Sequence, residues 1–252
     1  NVAADPFFTL SYTGIEGGFV LVSADDPGMH SSQNEQDNRN YARFAKVPLF
    51  EPSDSQEAKD FTKSAYQVSE NFDTPVMLRS TTRLSHSKGL VELEDRIEQE
   101  VKEFPKRQEK KYVTIPAHAR PLRVKVEKRL GKLKEFSEKT DINRVEWGDK
   151  DLGFIVSGIS YNYVKECYPY ASVLKLGFTN PLPMNKIREF VNKLKKVIVV
   201  EENDPFIENE IKANGIMVDG KNIIPNMGEL NTDIIKKSIE EEKEQEHKST
   251  SA

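Results

Sequence analysis

An apolar run, an amphipathic helix and a second apolar run, in that order, leave a chain few ways to fold. Phe19-Val20-Leu21-Val22 reads as a buried central strand over 19–23. Val47-Pro48-Leu49-Phe50 reads as a second, short one. Ser53 and Gln56 then have capping-box spacing, and behind them Ala58, Phe61, Ala65, Val68 and Phe72 fall on one face of a helix. A third strand follows over 74–79. Strand, helix, strand favours parallel pairing, so the first third of the chain predicts an α/β sheet. Upstream, Asp5 and Pro6 suit a helix start, with Phe7, Leu10 and Tyr12 along it and Gly14 or Gly17-Gly18 at its end.

The same alternation returns after Asp151. Apolar strands are predicted over 152–158, 172–177 and 196–202, with helices between them. One helix runs through Tyr163, Val164 and Cys167. Another carries Ile187, Phe190, Val191 and Leu194 at i, i+3, i+4 and i+7. A third starts at Asn203-Asp204-Pro205 and turns Phe206, Ile207 and Ile211 inward. Thr179-Asn180-Pro181-Leu182-Pro183 reads as a rigid loop. This is a second, doubly wound α/β unit. Between the units, 84–147 is dominated by charge. Leu93, Ile97, Val101 and Phe104 make a modest helical stripe, 113–123 with its prolines reads as an extended linker, and 126–136 as a charged helix, all draped over a surface as an interdomain connection. The expected division is 1–90, 91–147, 148–230, and 231–252, where a last helix gives way to a disordered polar tail from Glu240.

The composition excludes several functions. The formal net charge is −4 and the basic residues are interleaved with acids, so nucleic acid is not indicated. No apolar run approaches the ~20 residues of a membrane helix, and no signal-peptide pattern opens the chain. A single cysteine, Cys167, allows neither an internal disulfide nor a cysteine-ligated cluster, and fits a reducing cytoplasm. Its place in a helix beside Tyr168 and Pro169 suits a structural thiol. His30, His86, His118 and His247 show no metal-ligand spacing. There is no Gly-x-Ser-x-Gly and no P-loop. Val218-Asp219-Gly220 lacks the first glycine of a thiamine diphosphate and magnesium motif and reads as a turn. Glu201-Glu202-Asn203-Asp204-Pro205 reads mainly as helix capping and dipole stabilisation, with a functional role at a domain or subunit interface as the alternative.

One stretch is richer. Ala24 to Arg39 breaks the first strand with Asp26-Pro27-Gly28 and then packs donors and acceptors together: His30, Ser31, Ser32, Gln33, Asn34, Gln36, Asp37 and Arg39. Arg43 lies four residues on, so a helix starting near Asn34 puts both arginines on one face. Arg79, Arg83, Ser85 and His86 end the third strand. In a parallel sheet that strand end shares an edge with the polar loop, and α/β proteins place chemistry at this edge. The residues alone leave two readings open, an anionic-substrate site or plain surface loops.

The runs Asn1-Val2-Ala3-Ala4-Asp5-Pro6 and Ala24-Asp25-Asp26-Pro27-Gly28-Met29-His30-Ser31-Ser32-Gln33-Asn34-Glu35-Gln36-Asp37 resemble the indolepyruvate ferredoxin oxidoreductase family, on its alpha-subunit side. So do Glu51-Pro52-Ser53-Asp54, the run 81–89 and Glu201-Glu202-Asn203-Asp204-Pro205-Phe206. A wider likeness to 2-oxoacid ferredoxin oxidoreductases rests on Gln36, Asp37, Arg43 and Arg83-x-Ser85-His86. The resemblance implies a partial thiamine-diphosphate-type pyrimidine domain followed by a transketolase C-terminal-like, doubly wound α/β domain. It implies oxidative decarboxylation of arylpyruvates to the acyl-coenzyme A, with reduction of ferredoxin, in the amino-acid fermentation of archaeal anaerobes. Thiamine diphosphate, Mg2+, [4Fe-4S] clusters and a beta subunit belong to that enzyme. The resemblance further implies an internal piece: the catalytic glutamate is expected before residue 1 and the diphosphate, metal and cluster sites after 252. The chain alone should then be inactive and bind little cofactor. Asp25, His30, Ser31, Ser32, Gln33, Asn34 and Asp37 are expected to line the thiamine and substrate pocket, with Ser85 and His86 beside them. Arg39, Arg43 or Arg83 is expected to face the 2-oxoacid carboxylate. An assembly scaffold without catalysis, or preference for pyruvate or branched 2-oxoacids, are the alternatives.

Overall fold

A computed structural model describes residues 2–96, 98, 103 and 108–250, with backbone alone at 246, 247, 249 and 250. The first unit runs α1 (Ala4–Thr13), β1 (Val20–Asp25), α2 (Arg39–Ala45), β2 (Leu49–Phe50), α3 (Ser55–Phe72), β3 (Val76–Thr81), α4 (Thr82–His86), α5 (Glu109–Tyr112) and α6 (Pro116–Lys139). The second runs β4 (Asn143–Glu146), β5 (Asp149–Ser157), α7 (Ser160–Cys167), β6 (Ala171–Leu176), β7 (Phe178–Asn180), α8 (Met184–Val191), β8 (Lys196–Val200), α9 (Phe206–Ala213) and α10 (Thr232–Thr250).

Two four-stranded sheets result, ordered β1-β3-β2-β7 and β4-β6-β5-β8. In the first, β1, β3 and β2 are parallel, and β7 returns antiparallel against β2. Side chains alternate across it as a pleat requires. Phe50, Val76 and Leu78 face α3 and α6, while Leu49 and Met77 face α1 and α2. The second sheet is covered on both faces too. Ile155, Leu174, Val197 and Val199 pack on α8 and α9. Phe154, Val156, Val173, Ile198 and Val200 pack on α7 and α10.

Several expectations are corrected. The run at 19–22 forms β1 at the sheet's edge, not its centre: Phe19 is 41% and Val22 62% exposed. The central strand is β3, buried along most of its length. Thr179 and Asn180 are strand rather than loop, and β4 was not foreseen. The cap of α3 sits one residue later than expected. Asp54 accepts from Glu57 N (2.8 Å), and Glu57 reaches back to Ser53 N (2.8 Å), while Gln56 bonds Asp60. Residues 240–250 continue α10. Leu93 lies outside any helix and is exposed; Ile97, Val101 and Phe104 lie outside the described residues.

The expected linker over 113–123 is helical from Pro116. A proline at the first helical position loses no hydrogen bond. Pro121, five residues on, is exposed and interrupts only one further bond. Leu122, Val126, Arg129, Leu133 and Ser137 make one buried face. Phe136 meets Phe72 and Phe178 with centroids 5.6 and 5.4 Å apart. Arg129 donates to Asp73 O (2.8 Å) and to Ser11 O. Thus α6 is a layer of the first unit, not a drape. Leu133→Ala is expected to cost about 2–5 kcal/mol in urea unfolding; a shift under about 0.5 kcal/mol, the surface value, would return α6 to linker status.

Candidate functional site

The parallel register sets Asp25, at the end of β1, beside Thr81, at the end of β3. Arg79, one pleat back, therefore reaches Asp25 (Nε to Oδ2, 2.6 Å) and, with its other arm, Glu51 after β2 (2.9 Å). Glu51 takes a further bond from Thr179 of β7 (2.7 Å). Burial pushes the Asp25 carboxyl above its ordinary range, though Arg79 opposes it. Asp25 also accepts from Asn38 N (3.2 Å), which ties the far end of the polar loop to the strand it left.

Arg39 opens α2 and is 0% exposed. Its Nε and Nη2 hold Asp37 (2.9 and 2.5 Å), Nη1 holds Glu201 (2.6 Å), and Nη2 also meets Glu202 O and Asp204 O (2.8 and 3.0 Å). Burial works against the Asp37 carboxylate, and Arg39 overcomes it, holding Asp37 below its ordinary range. Glu201 stays above its ordinary range, because burial outweighs Arg39 and the α9 backbone. Arg43 does share a face with Arg39, as its spacing implied. Its guanidinium lies 3.7 Å from the Phe206 ring centroid and donates to Phe206 O and Glu210 (2.8 and 2.9 Å). Both arginines lie on the seam against the 201–210 segment. The expectation for Arg39 is corrected, because its buried guanidinium is spent on acids and carbonyls; Arg43 gives Nη2 to that segment, while its Nε finds no partner among the described residues.

The loop itself is pinned from within. Asp26 accepts from Ser31 N (2.9 Å), Ser32 N (3.0 Å) and Thr82 Oγ1 (2.6 Å), which hold its carboxyl well below the usual range. Gly28 has φ +82°, and a Cβ there would stand 3.0 Å from Glu229 N, so the turn needs glycine. Its N–H reaches Glu35 (2.8 Å). At this edge Glu229 gathers the two expected loops: Arg83 donates to it through Nε and Nη2 (the latter 2.6 Å), and His30 Nε2 lies 3.4 Å away. Ser31, Ser32, Gln33 and Asn34 are exposed beside them. Ser85 Oγ bonds Ser80 Oγ (2.8 Å), and His86 is exposed at the end of α4. Of the expected site residues, then, the structure brings His30, Ser31, Ser32 and Arg83 to one mouth. It places Asp25 and Asp37 beneath that mouth as supports and takes Arg39 and Arg43 away.

Sequence reasoning did not single out Glu229, Glu202, Asn203 or Tyr163 for this mouth. Glu202 lies two residues beyond β8 and is 5% exposed. Burial pushes its carboxyl up to about 7, with Glu229 adding to the rise and Arg79 and Arg39 opposing it. Asn203, 6% exposed, has φ +61° and an amide whose oxygen and nitrogen are both unpartnered among the described residues. Burial raises the Tyr163 hydroxyl to about 12, and Glu202 and Glu229 lie within electrostatic range of it. The doubled acid after an apolar run was the available signal, but capping accounted for it; Glu229 gave none.

The described residues do not by themselves fit a diphosphate–metal group or an iron–sulfur cluster. No group of three His, Cys, Asp or Glu among them converges as metal ligands, and Cys167 stands alone, donating to Thr232 O.

Residues 23–141 match the family model described as pyruvate flavodoxin/ferredoxin oxidoreductase, thiamine diphosphate-binding. The chain is 49% identical, over 86% of its length, to the indolepyruvate oxidoreductase subunit IorA of Archaeoglobus fulgidus, and spans 36% of that relative. A 2-oxoglutarate:ferredoxin oxidoreductase from Magnetococcus marinus, solved with 2-oxoglutarate, coenzyme A and succinyl-CoA, superposes with TM-score 0.67 at 15% identity over 96% of this chain and 51% of that one. A split-gene transketolase superposes with TM-score 0.53 at 12% identity over 88% and 65%. The expected α/β class, a thiamine-diphosphate-type domain followed by a transketolase-like unit, is borne out.

Two outcomes test the frame. Arg39→Met strands Asp37 and Glu201 as buried, unpaired acids and is expected to cost about 3–5 kcal/mol in denaturant unfolding; near-neutrality would mean that the guanidinium is not the buried counter-ion. Glu202 binds its proton more tightly folded, at about 7, than unfolded, at 4.5. Its contribution is therefore full below the unfolded value and is lost as pH rises through the folded one. Glu202→Gln should flatten that fall in stability, and an unaltered slope in the variant would refute it.

Proposed function

The chain belongs to the indolepyruvate and 2-oxoacid ferredoxin oxidoreductase family, and from that premise we propose that it forms one wall of the substrate site in an enzyme that oxidatively decarboxylates indolepyruvate and other arylpyruvates. The 2-oxoacid loses carbon dioxide, the acyl group passes to coenzyme A, and both electrons go to ferredoxin. The observation that carries this reading is the gathering of Arg83 and His30 on Glu229, at the shared carboxyl edge of β1 and β3. Arg83 supplies the cation for a 2-oxoacid carboxylate. A guanidinium binds carboxylates well, and its exposure leaves it reachable. His30, Ser31, Ser32, Gln33 and Asn34 offer donors and acceptors around it, with Ser85 and His86 on the α4 side. Asp25 and Asp37 hold the wall in place.

Thiamine diphosphate, Mg2+ and [4Fe-4S] clusters belong, in this reading, to sites completed by the rest of the assembled enzyme and its beta subunit. We divide the chain, on the same reading, into a pyrimidine-domain portion that includes α6 and a transketolase C-terminal-like portion that lends β7 to the first sheet.

The test uses the complete complex containing this chain. Arg83→Ala and His30→Ala should each lower kcat/KM for indolepyruvate about tenfold to a hundredfold, chiefly through KM, as expected for a lost hydrogen bond to a charged group. Comparison with phenylpyruvate and pyruvate reads the ring preference. The isolated chain should reduce no ferredoxin. Unchanged kinetics at both positions would sink the assignment of this wall.

A further inference from the structure

Glu202 and Asn203 follow β8 side by side, both polar and both buried; Glu202 accepts from Leu230 N, whereas the Asn203 amide finds no partner among the described residues. Their backbone explains why. The carbonyls of Glu202 and Asp204 turn toward Arg39, and that of Glu201 takes Lys221 Nζ (2.6 Å). With three carbonyls committed to cations, Asn203 is held at φ +61°, a conformation that a non-glycine residue enters at a cost. Its amide gains nothing in return: neither the oxygen nor the nitrogen finds a partner among the described residues. A buried amide left unpaired costs more than its hydrogen bonds would have contributed. An unmade pair at one residue, in the turn that follows the carboxyl end of a parallel strand, marks a place where a ligand completes the bonding.

The charges nearby say which ligand. Within electrostatic range of Glu202 lie Arg79 from β3, Arg39 from α2, Arg83 from α4, Tyr163 from α7, Lys221 from the segment after α9 and Glu229 from the segment before α10, with His30 beyond Glu229. Arg83 already shares its charge with Glu229. A second carboxylate at Glu202 would make the mouth repel an anion, whereas a neutral carboxyl there donates an O–H.

We propose that Asn203, through its unpartnered amide N–H, and the adjacent Glu202 carboxyl form a second binding subsite for the ligand's carboxylate beside Arg83. This rests on the reading of the mouth as a 2-oxoacid site. Arg83 then provides charge and the β8 pair provides direction. The burial that raises Glu202 to about 7 keeps it a donor up to neutral pH and turns it into a repelling carboxylate above.

The experiment measures KM for indolepyruvate in the complete complex between about pH 6 and about pH 8, in the wild type, in Glu202→Gln and in Asn203→Gly. Gly adopts the left-handed backbone freely, so Asn203→Gly removes the amide without adding strain. The wild-type KM should rise about tenfold across the range, the size of one charged hydrogen bond. Glu202→Gln should abolish the rise, and Asn203→Gly should raise KM about tenfold throughout with kcat kept. The same comparison in a His30→Gln background takes the imidazole's own titration out of the profile. Asn203→Gly decides the matter if Glu202→Gln does not assemble. A pH step in the KM for coenzyme A alone would overturn the carboxylate assignment. Turnover with wild-type KM and pH step in both variants overturns the subsite, while a wild-type complex that turns over no 2-oxoacid overturns the reading of the mouth as well.

Discussion

The buried guanidinium of Arg39 is the contact on which the arrangement turns. A charge removed from water is tolerated only where every donor is met, and Arg39 is met by Asp37 on its own loop and by Glu201, Glu202 O and Asp204 O on the other unit. Glu201 is doubly used, because the same carboxylate accepts from Ile207 N and Glu208 N at the start of α9 (3.0 Å each at closest). One ion pair thus fixes the end of the polar loop, the start of α2, the turn after β8 and the start of α9. A second buried seam repeats the device. Lys175 of β6, fully enclosed, meets Glu57 in the first turn of α3, and Arg144 joins from β4 (3.0 Å). Burial pushes the Lys175 ammonium down to about 8, with Glu57 opposing the shift. Together with the pairing of β7 on β2, these contacts make the two units one structure.

The alternation of strands and helices was legible because its pattern is local. Phe61, Ala65 and Val68 on α3, Ile187 and Phe190 on α8, and Phe206, Ile207 and Ile211 on α9 face inward as their spacing requires. Where sequence reasoning failed, tertiary context decided. An apolar run such as 19–22 reads the same at an edge as at a centre, and only strand order distinguishes them. The prolines at 116 and 121 read as breakers, yet one stands where a helix needs no N–H and the other on an exposed face. Strand β7 is three residues long, too short for any periodicity to register.

The site was legible as a place and less so as a set of roles. The loop and the residues after β3 do converge, through Asp26 on Thr82 and through Glu229 on Arg83 and His30. Nothing in the sequence separates an arginine that meets ligand from one that meets a buried acid, since the difference lies in partners more than a hundred residues away. Arg39 and Arg43 find theirs in the 201–210 segment, and Arg83 finds Glu229. The doubled acid at 201–202 shows the same limit. Its first member is a counter-ion and helix cap, its second a carboxyl with no salt-bridge partner among the described residues, and the turn after β8 gives the two different surroundings.

The charge balance beneath the mouth explains why the carboxyl of the second member is pushed up to about 7. Asp25, Asp37, Glu51 and Glu201 already surround Arg39 and Arg79, so acids outnumber the guanidiniums that hold them. Asp25 and Glu201 stand above their ordinary range even with an arginine in contact. At Glu202 burial outweighs the pull of Arg79 and Arg39, and Glu229 adds repulsion. The frame that locks the loop to the second unit is thus the same frame that raises the Glu202 carboxyl beyond β8. The lock between the units and that raised carboxyl have one electrostatic origin.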